Sequence, residues 1–469
     1  MTGLCTESFF SDICEEIRLF IDTRKIERLT GYEPLAEGFS LLHRSKEEEG
    51  IISSLSRLFQ GGYPVSESGY CCGLGQGALE HKRNAKRAAK ISAYRALSKH
   101  FGVSMPWGSL TGIRPTKLLR DSEARLGEKG ARALFLNEFD VSPQKYEFAK
   151  SIADIQRPLF PLAGDTDIYI GIPFCTSRCA YCSFASNTPD VFKGAEDRYI
   201  AALTEELSEA EERLAGGRVR AVYIGGGTPT ALSEKNLSLV LKRVAEIAEG
   251  AGEFTVEAGR PDTITEEKLK IIKEAGAGRV SVNPQTLKAE TLLRIGRKHT
   301  AEDFFKAYGL ARELGFIVNV DIIAGLPGER TADFRSTLES VIGLSPENIT
   351  VHTLAVKRAS RFAADNMEAF PGDSETADMV NEAAETLRSA GYRPYYMYRQ
   401  KYMKGSLENA GYSKEGFECL YNIDNMEELC SVEAFGAGAI SKQVYGGGER
   451  IERRANTKDL RLYIQRKGI

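Results

Sequence analysis

The sequence predicts an α/β fold: a partial (βα)6 TIM-like barrel carrying an N-terminal α+β accessory domain and a small C-terminal extension. Three observations lead there. From residue 167 to about 390, short β-branched runs alternate with longer, charged amphipathic segments. The alternation occurs six times, and parallel strands at that spacing need helical crossovers that cover the sheet. Right-handed crossovers then let the sheet curl into a full or partial barrel, with function gathered at the carboxyl ends of its strands.

The expected strands are Asp167–Phe174, Val219–Gly225, Phe254–Glu257, Arg279–Asn283, Ile317–Ile323 and Ile349–Val356. Helices are expected over Glu196–Leu214, Glu234–Ala248, Glu266–Ala275 and Ala301–Leu314. Thr265 reads as an N-cap, Glu266 and Glu267 suit the first turn, and Gly276 is a stop. Four segments follow: an α+β accessory domain over 1–104, a helical connection over 105–164, the barrel over 165–391, and a Tyr- and Gly-rich extension or small domain over 392–469.

The chain has 469 residues, a net charge of −3 and a pI near 6.1, so nothing global draws it to nucleic acid or an anionic membrane. The first thirty residues lack a basic start followed by an apolar core, and no apolar run approaches a membrane span. A cytoplasmic protein is expected. Its nine cysteines are odd in number and unevenly placed, which is not a disulfide framework.

Three of them fall in GIPFCTSRCAYC, residues 171–182, directly after the first predicted strand. Cys175, Cys179 and Cys182 on one tight loop can hold three corners of an iron–sulfur cubane, leaving the fourth iron open for chemistry. Structural zinc would want four ligands, and no further His or Cys lies close in sequence. One βα unit later, GGGTPT (225–230) ends the second strand, where glycines permit close backbone approach.

The C-x3-C-x-aromatic-C spacing, with Tyr181 before the last cysteine, resembles the signature of the radical S-adenosylmethionine (SAM) superfamily. That resemblance implies a [4Fe–4S] cluster on the three cysteines. SAM would chelate the open iron and be cleaved to a 5′-deoxyadenosyl radical. It narrows to the oxygen-independent coproporphyrinogen III dehydrogenases through TVE ending at Glu257, VNPQ ending at Gln285, Arg297, and VDIIAGLP from Val320. Over the whole chain it is most similar to the HemZ type, with LTGIRPTKL (110–118) and MYRQKYMKGSLENAGY (397–412) also resembling its pattern. The family implies SAM contacts from Tyr181, Gly226, Gly227, Thr228, Glu257, Gln285, Arg297, Asp321, Ile323 and Ala355. Asp321 and Glu257 suit the sulfonium, amine or ribose hydroxyls, and Arg297 the carboxylate. Tyr169 is the candidate catalytic residue, orienting cluster or substrate.

The implied reaction is oxidative decarboxylation of coproporphyrinogen III propionates to vinyls, giving protoporphyrinogen IX. The partners would be a tetrapyrrole and a reductant such as flavodoxin or ferredoxin, with nucleic acid disfavoured. Two positions depart from the pattern: Gly171 stands where the dehydrogenases place His, and Phe184 where they commonly carry a fourth cysteine. The alternatives are another anaerobic tetrapyrrole- or haem-modifying activity, a haem-trafficking role, or RNA modification. The related haem chaperones carry a His-Asn-x-x-Tyr-Trp motif, whereas the one tryptophan here is Trp107.

Weaker patterns have two readings each. Residues 81–120 hold ten Lys or Arg and no Asp or Glu, so Lys82, Arg83, Lys86, Arg87 and Lys90 form either a solvated helix face or an anion dock. Tyr395, Tyr396, Tyr398, Arg399 and Lys401 suit either an edge strand or stacking on a macrocycle. Cys71–Cys72 and Cys419/Cys430 read as buried thiols rather than a second cluster. His352 reads as structural, with a place facing substrate as the alternative.

Overall fold

The computed structural model describes residues 1–23, 25–112, 114–182, 187–188, 194–214, 216–355, 362, 370–400, 403–448 and 450–468. Phe184, Lys401 and Ile113, which figure in the patterns above, lie outside them. The chain divides into two compact units, residues 1–150 with 405–407, and residues 151–404 with 408–469.

The first unit is built on a five-stranded sheet in the order β2-β1-β3-β4-β5, formed by β1 (Thr2–Cys5), β2 (Glu27–Arg28), β3 (Phe39–Glu48), β4 (Ile51–Gln60) and β5 (Tyr63–Gly73). β4 alternates exposed and buried positions, which is how a sheet covered on one face reads. Its buried side meets the helices Phe10–Ile17 and Gly77–Phe101 through Leu41, Leu58, Ile13, Ala93 and Leu97. The cations of the second helix are largely answered. Lys86 pairs with Asp12 at 2.6 Å, Lys90 with Glu16 at 3.2 Å and Arg95 with Asp140 at 2.8 Å, while Arg87 lies over the Phe139 ring. The anion-dock reading is therefore corrected to an amphipathic helix whose inner cations serve packing, leaving Lys82 and Arg83 exposed.

The second unit holds an eleven-stranded sheet. Its parallel strands are β6 (Asp165–Ile172), β7 (Arg218–Gly226), β8 (Glu253–Gly259), β9 (Arg279–Val282), β10 (Ile317–Ala324) and β11 (Asn348–Thr353), each within a few residues of its sequence-predicted run. The helices Ala195–Ser208, Glu234–Ile247, Glu266–Glu274, Ala301–Glu313 and Thr331–Leu344 join them. Thr265 caps its helix by accepting from Lys268 N, and Gly276 takes a left-handed φ of 88° after it. The strand cores (Ile168, Ile170, Val222, Val256, Val280, Val320) are shielded from solvent, as a doubly covered parallel sheet requires.

Residues 392–469 supply strands to both ends of this sheet. β13 (Asn409–Ser413) pairs antiparallel with β11, and β12 (Arg393–Tyr398) pairs antiparallel with β13 outside it, whereas β14 (Ser431–Phe435) pairs parallel with β6 and continues into β15 (Ile440–Tyr445) and β16 (Arg450–Ala455). No helix among the described residues is long and apolar enough to cross a membrane.

Candidate active site at the carboxyl edge of the barrel

Past the end of β6 the chain turns through Phe174 and Cys175, and the turn is fixed by backbone bonds. Cys175 N donates to Asn187 O at 3.1 Å, Ala180 N to Ile295 O at 2.9 Å and Cys182 N to Cys179 O at 3.1 Å. β7 holds the loop from the other side, with Gly227 N donating to Ile172 O and Thr228 N to Phe174 O, each at 2.7 Å. This explains the third glycine of GGGTPT. A Cβ on Gly227 would stand 2.8 Å from Ile172 O and 2.9 Å from Phe174 N, so the residue is small because the cysteine loop packs on it. Gly225 is small for another reason: a Cβ there would lie 2.5 Å from Glu257 Oε2.

The three cysteines line a cavity of about 350 Å³ together with Tyr181, Gly226, Gly227, Thr228, Glu257, Gln285, Arg297, Asp321, Ile323 and Ala355. Each sits at or just past a strand end or on the helix-bearing loops that follow, which is the placement a barrel gives to functional groups. Arg297, Gln285, Thr228 and Ile323 are buried, which excludes the solvated-rim alternative for them. Arg297 donates to Asn283 O at 2.6 Å and to Tyr181 OH at 3.2 Å. Gln285 is held at φ 69°, its N–H donating to Asp321 O and its carbonyl accepting from Ile323 N. A non-glycine residue in that region is strained, and strain of this kind collects at binding sites.

The two acidic groups are driven apart. Burial, then the charge of Asp321, pushes the Glu257 carboxyl up to about 7, against hydrogen bonds from Tyr223 and Gly226 N–H. Burial also works against Asp321, but His352, Asn319 and Thr350 outweigh it and hold that carboxyl below its usual range. His352 Nε2 lies 3.5 Å from Asp321 Oδ2, and its Nδ1 lies 3.4 Å from Tyr398 OH. The cavity thus holds one charged and one half-protonated carboxyl near pH 7, an arrangement suited to binding a cation and a hydroxyl separately.

Whether a [4Fe–4S] cluster and SAM suit this donor set can be tested on its unsatisfied atoms. Gln285 Oε1 and Arg297 Nε are buried with no hydrogen-bond partner among the described residues, and both residues line the cavity that the three thiols line. An amino-acid-bearing nucleoside between thiols and guanidinium would satisfy them. Cys179 further accepts from Arg260 Nη1, 3.8 Å from its sulfur. The residues fit.

Residues 169–341 match the radical SAM superfamily. The oxygen-independent coproporphyrinogen-III oxidase-like protein HemZ of Bacillus subtilis is 38% identical over 382 residues, covering 79% of this chain and 76% of that relative. The chain belongs to the radical SAM superfamily, in its HemZ-type family. The haem chaperone HemW of B. subtilis is also similar to this radical SAM chain, 31% identical over 303 residues, or 63% of this chain and 74% of HemW. Among solved structures, coproporphyrinogen III oxidase HemN of Escherichia coli shares its fold at a TM-score of 0.53, with 24% identity over 70% of this chain and 73% of that one. Radical SAM proteins use a [4Fe–4S] cluster and SAM, so these are the cofactors of this chain's family.

Several residues expected elsewhere take different places. Tyr169 does not line the radical SAM cavity. It lies among the aromatic rings next to it, stacked with Tyr421 and Tyr223, so any orienting role it has acts through its neighbours rather than by contact with the cavity. Gly171 has no conformational need to be glycine, since a Cβ there would meet Phe435 O at an ordinary 3.5 Å. His352, Tyr396 and Tyr398 do line the cavity, whereas Tyr395 packs in the core below. Cys71 and Cys72 are consecutive on β5 and so point to opposite faces, and Cys419 is buried with its thiol 3.1 Å from Glu253. Arg260, Asn283 and Asn319 were missed. Arg260 follows and Asn283 ends a predicted strand, so strand-end position was the signal that could have found those two, whereas Asn319 sits inside β10 and is seen only as a polar residue two before Asp321 on the same face.

Proposed function

We propose that the chain is a cytoplasmic radical SAM oxidoreductase that acts on a tetrapyrrole, with coproporphyrinogen III as the substrate and protoporphyrinogen IX as the product. The observation that supports this best is the shared cavity: three thiols on one wall, Arg297 and Gln285 on another, and the split pair Glu257/Asp321 between β8 and β10. When bound, the cluster and SAM supply a 5′-deoxyadenosyl radical. Cys175, Cys179 and Cys182 would hold the cluster. Arg297, oriented by Asn283 and Tyr181, binds a carboxylate, and Gln285 completes that edge. Asp321 stays charged and accepts from hydroxyls or faces a sulfonium, while Glu257 near its midpoint can donate or accept one hydrogen bond. Tyr396 and Tyr398 offer aromatic rings, and His352, 3.5 Å from Asp321, offers a hydrogen-bonding ring.

Net, each propionate loses one hydrogen atom, one further electron and carbon dioxide. A reductant such as flavodoxin or ferredoxin is needed for the cluster, and a separate acceptor for the released electron. The test is anaerobic reconstitution with iron and sulfide, reduction with dithionite and desalting, then incubation with SAM, coproporphyrinogen III and a quinone as electron acceptor, with products read by mass spectrometry. Loss of carbon dioxide from two propionates supports the assignment. SAM cleavage without any such loss sinks it and favours another haem- or tetrapyrrole-directed activity. The similarity to HemW keeps haem binding as the second reading, and stoichiometric haem retention by chain inert toward coproporphyrinogen III would select it.

A further inference from the structure

At the amino end of β6, opposite the cysteine loop, lie three groups from distant parts of the sequence. Asp167 is on β6, Asp424 is in the helix Leu420–Glu427 and Cys430 immediately precedes β14. One ligand-capable atom of each lies within 4.8 Å of the other two. Asp167 and Asp424 have no exposure at all, and Cys430 is buried.

The neighbouring acids have cations of their own. Asp165 pairs with Arg218 at 2.7 Å, Glu253 with Arg279 at 3.2 Å, and Asp424 Oδ2 with Arg220 at 2.5 Å. Asp167 does not. Neither of its oxygens, nor Asp424 Oδ1, has a nitrogen or hydroxyl donor among the described residues, and the donor that faces Asp167 is the Cys430 thiol. What faces Asp167 is the Asp424 carboxylate and the Cys430 thiol, with Arg220 committed to Asp424. A carboxylate wholly removed from water is strongly destabilising unless a cation or a proton offsets it.

We propose that Asp167, Asp424 and Cys430 form a second metal site, for a divalent ion of the zinc class, that ties β6 to β14. Each of the three residues offers one donor atom, and Asp167 binding through both carboxylate oxygens would raise the contacts to the four that a structural zinc takes. A mixed thiolate and carboxylate set selects a borderline-soft ion over calcium or magnesium. Two carboxylates and a thiolate around a divalent ion leave one negative charge, which the Arg220 guanidinium cancels. Cys430 would bind the ion as a thiolate, so loading the site releases a proton. The site is independent of the reading of the cavity, since Asp167 lies near the amino end of β6 and Cys175 past its carboxyl end.

The test uses the full chain with its iron–sulfur cluster loaded, so that Cys175, Cys179 and Cys182 are occupied. It is incubated anaerobically with excess zinc chloride and desalted, and zinc and iron are then counted. One zinc per chain beside unchanged iron is expected, and Asp167→Asn should lose the zinc while keeping the iron. No retained zinc, or equal zinc in both proteins, overturns the site and leaves a proton shared between Asp167 and Asp424. Should Asp167→Asn not fold, zinc-edge X-ray absorption of the loaded parent decides. One sulfur with oxygens supports the site, and an all-sulfur or sulfur-free shell overturns it.

Discussion

Replacing Gly227 by alanine adds one methyl group at the point where β7 meets the cysteine loop. That methyl would lie 2.8 Å from Ile172 O, 2.9 Å from Phe174 N and nearer still to Phe174 O, against ordinary contact beginning at 3.4 Å. All three neighbours are backbone and cannot rotate away, so the loop must retreat by about 0.5–1 Å, at a cost of about 1–3 kcal/mol. The retreat also stretches the bonds Gly227 N to Ile172 O and Thr228 N to Phe174 O. A displacement of about 1 Å at reacting groups costs on the order of 100-fold in rate. We expect Gly227→Ala to lower the rate of SAM cleavage by roughly that factor, to bind less cluster iron, and to melt below the parent. Gly309→Ala is the control, because a Cβ there meets nothing within 4 Å and its helix gains about 0.5–1 kcal/mol. A Gly227→Ala protein with parental iron content and SAM cleavage within about twofold would refute the claim that this glycine docks the loop.

Glu257 carries a pH signature in cofactor-free protein. Its folded carboxyl at about 7 lies above its ordinary 4.5, so the native state holds an extra proton between those values. Stability should fall as pH rises through that window and level off above it, a loss on the order of 3 kcal/mol at most. Urea midpoints of Glu257→Gln should be flatter over the window and higher at pH 8, and an unchanged slope would count against the shift. Arg297→Gln removes a charged donor from the cavity. Anaerobic calorimetry should show SAM affinity weakened by about 10- to 100-fold with iron content intact, and parental affinity would remove Arg297 from the SAM site. Cys179→Ala should abolish both cluster absorbance and SAM cleavage, and retention of either would overturn the cluster assignment.

The barrel was legible because its strand cores are buried, so the β-branched and aromatic runs Ile168–Ile170 and Val222–Ile224, and the β-branched positions of Ile317–Ile323, stand out between amphipathic helices. Its site was legible because the motifs fall at strand ends, where a parallel barrel exposes its side chains and backbone. Other features depend on tertiary partners that no local pattern encodes. That Gly227 is small for Phe174, and Gly225 for Glu257, is visible only once β6, β7 and β8 lie side by side. Tyr169 faces a stack completed by Tyr421, and the basic helix meets acids from Asp12 to Asp140. The left-handed Gln285 carries no sequence signal at all, since propensity there favours glycine or asparagine.

The split of residues 392–469 between both ends of the sheet bears on how the chain is made. β6 acquires its second neighbour only when β14 arrives, and β11 is flanked on its outer side only by β13. A nascent chain that has emerged through residue 391 therefore carries the six-stranded core with two bare parallel edges, the surface most prone to pair with another copy. Its cysteine loop, already complete in sequence, hangs from one of those edges. Synthesis of the last strands is thus also what protects the growing chain, and a stop shortly after β12 should yield aggregates rather than a smaller working enzyme.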